Sequence, residues 1–171
     1  NYITVSQSTG PCAATSSQCD EYIMQVELNT IDNSTQCATG GYGDHTNIST
    51  SLAKGSAYQV TITPGINGSA SAYTDDEIAV WIDYNNDFDF DDAGEQVAYV
   101  LVAANWNNVF DFTVPSSATT GNVSMRTRIS YSPDGAITPC GNSTYGETED
   151  YTINITASGT SILQDNLPLS S

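Results

Sequence analysis

Thirteen residues, DYNNDFDFDDAGE at 83–95, concentrate the chemistry of this chain. Oxygen-bearing side chains stand at Asp83, Asn85, Asp87 and Asp89, then at Asp91, Asp92 and Glu95. Ca²⁺ takes about six to eight oxygens at about 2.3–2.6 Å, and acids on alternating positions of a tight loop converge on one such ion. Mg²⁺ fits less well, because its strict octahedron seldom uses so many protein oxygens. The expected ligands are Asp83, Asn85, Asp87, Asp89, Asp92 and Glu95, with Asp89 offering its backbone carbonyl and Asp91 turned to solvent. The D-x-N-x-D opening is that of an EF-hand loop, but three departures exclude an EF-hand proper. Phe88 stands where the invariant glycine belongs, the glutamate falls one position late, and no helical pattern flanks the loop. A strand-bordered calcium loop is therefore expected, with a merely solvated acidic turn as its alternative.

Charge sharpens that choice. Twenty acids face only Lys54, Arg126 and Arg128, for a formal net charge of −17. Such a surface repels phosphate backbones and anionic lipid, which argues against nucleic-acid partners. No run approaches the length of apolar sequence that a membrane helix needs, so membrane insertion is not expected. Bound cations would relieve the repulsion that solubility alone leaves in place. The lone His45 follows Asp44 in a polar stretch and reads as a loop residue, and no G-x-S-x-G motif accompanies it. Paired carboxylates could serve glycoside hydrolysis, yet the densest acids already have a calcium explanation. The chain is expected not to be an enzyme.

Cys12, Cys19, Cys37 and Cys140 form an even set without a C-x-x-C pair, in a chain with a single His. Disulfides are expected over zinc, and with them an extracellular, secreted or cell-surface location. The expected pairing is Cys12–Cys19, pinning an N-terminal arm, and Cys37–Cys140, closing a loop of about a hundred residues.

The elements that must position these residues read as strands. EYIMQVEL (21–28) alternates, as does AYQVTIT (57–63) before Pro64-Gly65, and EIAVWID (77–83) is apolar on both faces, as a central covered strand would be. EQVAYVLVAA (95–104), NVFDFTV (108–114), NVSMRTRISY (122–131) and DYTINIT (150–156) complete the set, separated by turn-rich segments. The class is all-β, an antiparallel sandwich of jelly-roll or immunoglobulin-like type. Residues 1–11 read as an extended arm, 12–156 as the sandwich, and 157–171 as a linker or peripheral strand.

WIDYNNDFDFDDAGE, followed by MRTRISY and CGNSTYGETEDYTINI, resembles the GEVED domain. The signature naming that family reads here as Gly146-Glu147-Thr148-Glu149-Asp150, and CDEYIMQVELNTID is similar to the family's opening. The resemblance runs from about Cys19 to Ile155. It implies a β-sandwich module of secreted or surface-attached bacterial proteins, often beside peptidases, adhesins or C-terminal secretion signals, and implies no catalytic activity.

Arg126 and Arg128 share one strand face, and Glu147 and Glu149 alternate likewise, so structural ion pairs between the two couples are expected. An Arg clamp for a carboxylate or sugar acid is the functional alternative. Asn33, Asn47, Asn67, Asn122, Asn142 and Asn154 each begin an N-x-S/T sequon, with Asn67 and Asn142 the best placed to carry glycan.

Two functions follow. In the first, an extracellular structural subunit polymerises with itself head to tail, residues Tyr2, Ile3, Thr4 and Val5 of NYITVS donating a strand to the neighbour. The same segment would alternatively be the end of a preceding tandem module. In the second, the chain is an accessory adhesion or carbohydrate-binding module of a larger secreted protein. Tyr42, Tyr73, Trp106 and Tyr145 would then be the aromatics that meet glycans.

Overall fold

In the computed structural model, residues 10–101 and 107–158 are described. Tight turns cut this chain into strands where the side chains allow it. β1 (Ala14–Gln18) leads to β2 (Glu21–Leu28), which reverses at Asn29, at φ 54°, into β3 (Ile31–Ser34). β4 (Tyr42–Ala53) is followed by β5 (Ala57–Ile66). Asn67 and Gly68, both at positive φ, then fold β5 back into β6 (Ser69–Ala70), the geometry that an Asn-Gly hairpin turn supplies. β7 (Asp76–Ile82), β8 (Gln96–Leu101), β9 (Asn108–Thr113), β10 (Gly121–Tyr131) and β11 (Gly141–Thr156) follow.

Two sheets face each other. One runs β1-β11-β10-β7-β8, with β4 also on β11, and the other runs β3-β2-β5-β6, with β9 also on β5. Alternating residues of both inner faces make the core, among them Ile23, Val26 and Ile62 against Ile78, Ile82, Met125, Ile129 and Ile153. All seven residues of β7 are buried, as its two apolar faces require. Its second face carries Ala79 and Trp81, which pack with Phe90 of the acidic loop and with Ile137.

The sandwich is all-β, but not wholly antiparallel. β1 and β4 both run parallel to successive stretches of β11. The chain passes through β2 and β3 of the facing sheet between them, and strands joined by such a crossover need not reverse direction. β1, β3 and β4 were not expected, because ATSSQ, IDNS and most of YGDHTNISTSLA lack an apolar alternation. His45 consequently lies in a strand, not a loop. β5 continues through Pro64-Gly65, with Pro64 opposite Ile23 where the pairing register shifts. Proline is tolerated at such an irregularity because no ladder N–H is needed there.

The disulfides are Cys12–Cys140 and Cys19–Cys37, with Cα–Cα distances of 5.6 and 6.0 Å. This corrects the expected pairing. Cys12 and Cys19 flank β1, and an extended strand at about 3.3 Å per residue carries them far beyond the roughly 7 Å that a bridge can span. Cys140 instead meets Cys12 because Ala14 is in register with Gly141. Non-reducing peptide mapping should recover a 12–140 peptide and a 19–37 peptide. The long-range bridge closes a loop of 128 residues in sequence separation. Replacing Cys12 and Cys140 together by serine should cost about 4–5 kcal/mol in equilibrium unfolding.

Candidate metal centre

β7 delivers Asp83 to one end of the acidic loop, and β8 begins just after Glu95 at the other. The Ile82 N–H donates to the Glu95 carbonyl at 2.9 Å, closing the loop's base. The turn beyond β9 grips it as well: the Thr119 N–H donates to the Tyr84 carbonyl and the Thr119 hydroxyl to the Asn85 carbonyl. Inside the loop, oxygen side chains take backbone N–H groups in a ladder. Asp83 accepts from Asn86, Asp87 and Phe88, Asn85 from Asp87, Asp87 from Asp89, and Asp89 from Asp91. Short acid and amide side chains favour such local bonds, and here they orient successive oxygens within one turn. Phe88 adopts φ 74°, the conformation that glycine supplies in an EF-hand loop. The departure from that motif therefore costs about 1–2 kcal/mol of backbone strain without altering the turn.

The expected ligands separate into two groups. Carboxylate oxygens of Asp87, Asp89 and Asp92 lie within 4.8 Å of one another at the exposed mouth. Asp89 is thus present through its side chain, not only its carbonyl. The Asn85 Nδ2 donates to both Asp87 and Asp92, so a positively polarised group already sits where these acids converge. Asp83 and Glu95 form an inner, buried pair. Both carboxyls are pushed up, chiefly by burial; repulsion from Asp87 adds for Asp83, and repulsion from Asp83 for Glu95. Glu95 Oε1 accepts the Tyr84 N–H at 2.9 Å, while its Oε2 is buried and bonded to nothing. The trio of convergent carboxylates at the mouth is a donor set that suits a hard divalent cation.

The signature strand β11 is organised by its parity. Gly146 has φ 116°, and a Cβ there would collide with the Ile129 carbonyl oxygen of β10, so only glycine fits. Beyond it, Glu147, Glu149 and Tyr151 alternate onto one face. Glu147 accepts the N–H of Ile23 at 2.8 Å and of Ala38 at 2.6 Å, tying β11 to the facing sheet. Glu149 accepts from the Thr35 and Tyr151 hydroxyls and sits 3.3 Å from His45 Nε2. That hydrogen bond raises the His45 imidazole above its ordinary range.

The expected Arg–Glu pairing is corrected here. Arg126 is in register with Asp150 and Thr127 with Glu149, so both arginines lie on the face opposite the two glutamates. Arg126 forks onto Asp150, with Nε and Nη2 each 2.7 Å from a carboxylate oxygen. Its Nη1 reaches the carbonyls of Cys12 and Pro139, and its guanidinium lies 5.3 Å from the Phe90 ring centre. Arg128 donates to the carbonyls of Thr138, Cys140, Thr15 and Gly141. Arg126 is thus paired with an acid of its own strand neighbour, whereas Arg128 meets only backbone carbonyls and its Nε is buried without a partner. Asp150 stood in view within the signature; only the register, set by Gly146, identifies it as the partner.

Of the sequons, Asn47, Asn67, Asn122 and Asn142 are exposed. Asn33 is half-buried and donates to the Tyr151 hydroxyl, and half-buried Asn154 donates to Ser51. Of the four candidate aromatics, Tyr42 gives its hydroxyl to Asp150, whereas Tyr73 and Tyr145 line one cleft. Trp106, and Tyr2, Ile3, Thr4 and Val5 of the arm, lie outside the described residues, as does the tail from residue 159.

The family profile of the GEVED domain matches residues 77–154, from the start of β7 through most of β11. No curated protein matches. Among solved structures, the chain is similar to the CARDB domain of the PF1109 protein from Pyrococcus furiosus, determined in complex with di-metal ions. Identity is 10%, covering 64% of this chain and 86% of that one, with a TM-score of 0.35. At that score the likeness carries no argument about this chain.

The buried acids set a pH dependence. Burial pushes Glu147 from 4.5 up to about 7, against its two backbone hydrogen bonds. Burial and neighbouring acids push Glu21 up to about 7 and Asp76 to about 6. A carboxyl whose folded value is raised binds more protons folded than unfolded, so its contribution fades as pH rises through the shifted value. In chelator, the melting temperature should therefore fall between about pH 5 and about pH 7.5, as differential scanning calorimetry would record.

Proposed function

We propose that the β-sandwich, whose residues 77–154 match the GEVED family profile, is the body of a calcium-stabilised, extracellular structural subunit that assembles with itself head to tail. The observation that carries the calcium reading is the 83–95 loop. Its oxygens are held by backbone N–H groups, three of its carboxylates converge, and the buried Glu95 Oε2 lacks a donor. Asp87, Asp89 and Asp92 would hold the ion, with Asp83 and Glu95 as the inner anionic support and Asn85 at the rim. Bound there, Ca²⁺ would supply charge neutralisation and rigidity, not chemistry.

The assembly reading rests on an open edge. β8 ends its sheet, and among the described residues only β7 pairs with it. Tyr99 and Leu101 stand about half exposed along it. An uncovered edge with apolar side chains favours the addition of a strand from another chain. Tyr2, Ile3, Thr4 and Val5 are the proposed donor, with Ile3 and Val5 facing the acceptor. The reading is non-catalytic: His45 is engaged by Glu149 and the arginines by β11 and its neighbours. An accessory binding module is the second reading, favoured by the tyrosine-lined cleft at the other end of β7.

Chelation should lower the melting temperature by about 5–10 °C. An ion at about a hundred times its Kd contributes about 2.7 kcal/mol, and each kcal/mol shifts a domain of this size by about 2–4 °C. Asp87→Asn with Asp92→Asn should abolish that difference, and a chelator-independent melt of the unaltered chain would refute the calcium site. Deleting residues 1–8 should leave a folded monomer with intact disulfides and no filaments by electron microscopy. Filaments from the truncated chain would rule out strand donation.

A further inference from the structure

At the end of β7 opposite the acidic loop lies a cleft of about 390 Å³, lined by Asp20, Glu21, Tyr73, Asp75, Tyr131 and Tyr145. Its walls come from four places: the β1–β2 corner, the segment before β7, the end of β10 and the first part of β11. The Tyr131 and Tyr145 rings meet edge to face at 5.8 Å, and the Tyr73 hydroxyl donates to Asp20.

Beneath the tyrosines the charge does not balance. Glu21 is 2% exposed, and its Oε1 is buried with no hydrogen-bond partner. Asp76, fully buried near it, accepts the Tyr73 N–H at Oδ2 (2.7 Å), while its Oδ1 also lacks a partner. Asp20, Asp75 and Asp134 add negative charge around them. The chain has no cation to spare for this corner. Arg126 is committed to Asp150, and Arg128 to the carbonyls before β11. Lys54 sits beside Thr156, at the far end of β11 from Tyr145. Unpaired buried carboxylates are costly, and among the described residues no donor reaches Glu21 Oε1 or Asp76 Oδ1, which leaves this corner suited to an added cation.

The donor set distinguishes a metal from an organic cation. Among the described residues, Glu21 and Asp76 bring no third acid close enough to share one ion, unlike Asp87, Asp89 and Asp92. Aromatic faces beside a carboxylate suit instead a cation with an apolar stem, whose methylenes pack on the rings while the ammonium donates to the acid. We propose that this cleft is a recognition site for an aliphatic ammonium group, the lysine side chain of a partner protein, with Glu21 as its anionic anchor and Tyr73, Tyr131 and Tyr145 as its walls. The inference stands independently of the calcium loop and of strand donation.

Tyrosine ring resonances of the full chain in saturating CaCl2 should be followed while Nα-acetyl-L-lysine amide is added. The expected result is a saturable shift of Tyr73, Tyr131 and Tyr145, absent with the uncharged norleucine analogue. Glu21→Gln should weaken it about tenfold or more, as loss of a charge-assisted hydrogen bond implies. Tyr73→Ala, which keeps the buried acids, should weaken it as well. Binding should also fade from about pH 8 to about pH 5.5, because Glu21, raised by burial and by Asp76, Asp20 and Asp134, takes up a proton there. Any of three results would overturn the proposal: no shift with the lysine amide, equal binding of the norleucine analogue, or unchanged affinity in both variants. A saturable shift of the same three rings when CaCl2 is added to the chelated chain without the lysine amide would also overturn it, marking a metal site instead.

Discussion

A carboxylate taken out of water must find donors or a cation, and much of this structure answers that demand. Glu21, Asp76, Glu77, Asp83, Glu95, Glu147, Glu149 and Asp150 are buried, in a chain with three Lys or Arg in all. Charge pairing cannot satisfy eight acids with so few cations. Backbone N–H groups and hydroxyls meet most of the need: Glu147 bonds across to β2, Glu149 to Thr35 and Tyr151, and Asp83 to its own loop. Each such bond also fixes where a strand or loop lies, so satisfaction of the acid and placement of the element are one event. Replacing such a group with a neutral side chain of the same shape would remove a constraint on position, not only a charge.

The same demand joins the signature to the acidic loop. Phe90 leaves the loop, packs on Ala79 and Trp81 of β7, and lies under the Arg126 guanidinium. Arg126 in turn holds Asp150 and the carbonyls of Cys12 and Pro139 beside the long-range disulfide. An ion bound at residues 83–95, as proposed, would therefore brace the outer face of β7, β10 and β11 through Phe90. Breaking the Arg126–Asp150 fork on either side would leave a buried charge uncompensated, a loss of about 3–5 kcal/mol. The pair serves register as much as stability, since a slip of one residue would present Glu149 to Arg126 and put every side chain of β11 on the wrong face.

Much of this was legible in the residues. β2 and β7 show in their apolar periodicity, and the acidic loop shows in the spacing of its oxygens. What stayed hidden has a common cause: it depends on which strands become neighbours. β4 carries mostly serine, threonine and asparagine and is a strand because β11 supplies its partner. The Cys12–Cys140 bridge and the Arg126–Asp150 fork follow from register across more than twenty residues of intervening chain, which composition does not encode. Nor does spacing separate the loop's acids into Asp83 and Glu95 inside and Asp87, Asp89 and Asp92 at the mouth. That division comes from the backbone bonds which hold Asp83 inward.

The claim that most of this depends on is that the acids of residues 83–95 are ligands and not a solvated patch. A crystal grown in CaCl2, with anomalous differences collected at long wavelength, tests it directly. The account predicts one calcium peak at about 2.3–2.6 Å from carboxylate oxygens of Asp87, Asp89 and Asp92, with the Asn85 amide nitrogen displaced from between Asp87 and Asp92. A map with no peak at the loop, and Asn85 still donating to both acids, would contradict it.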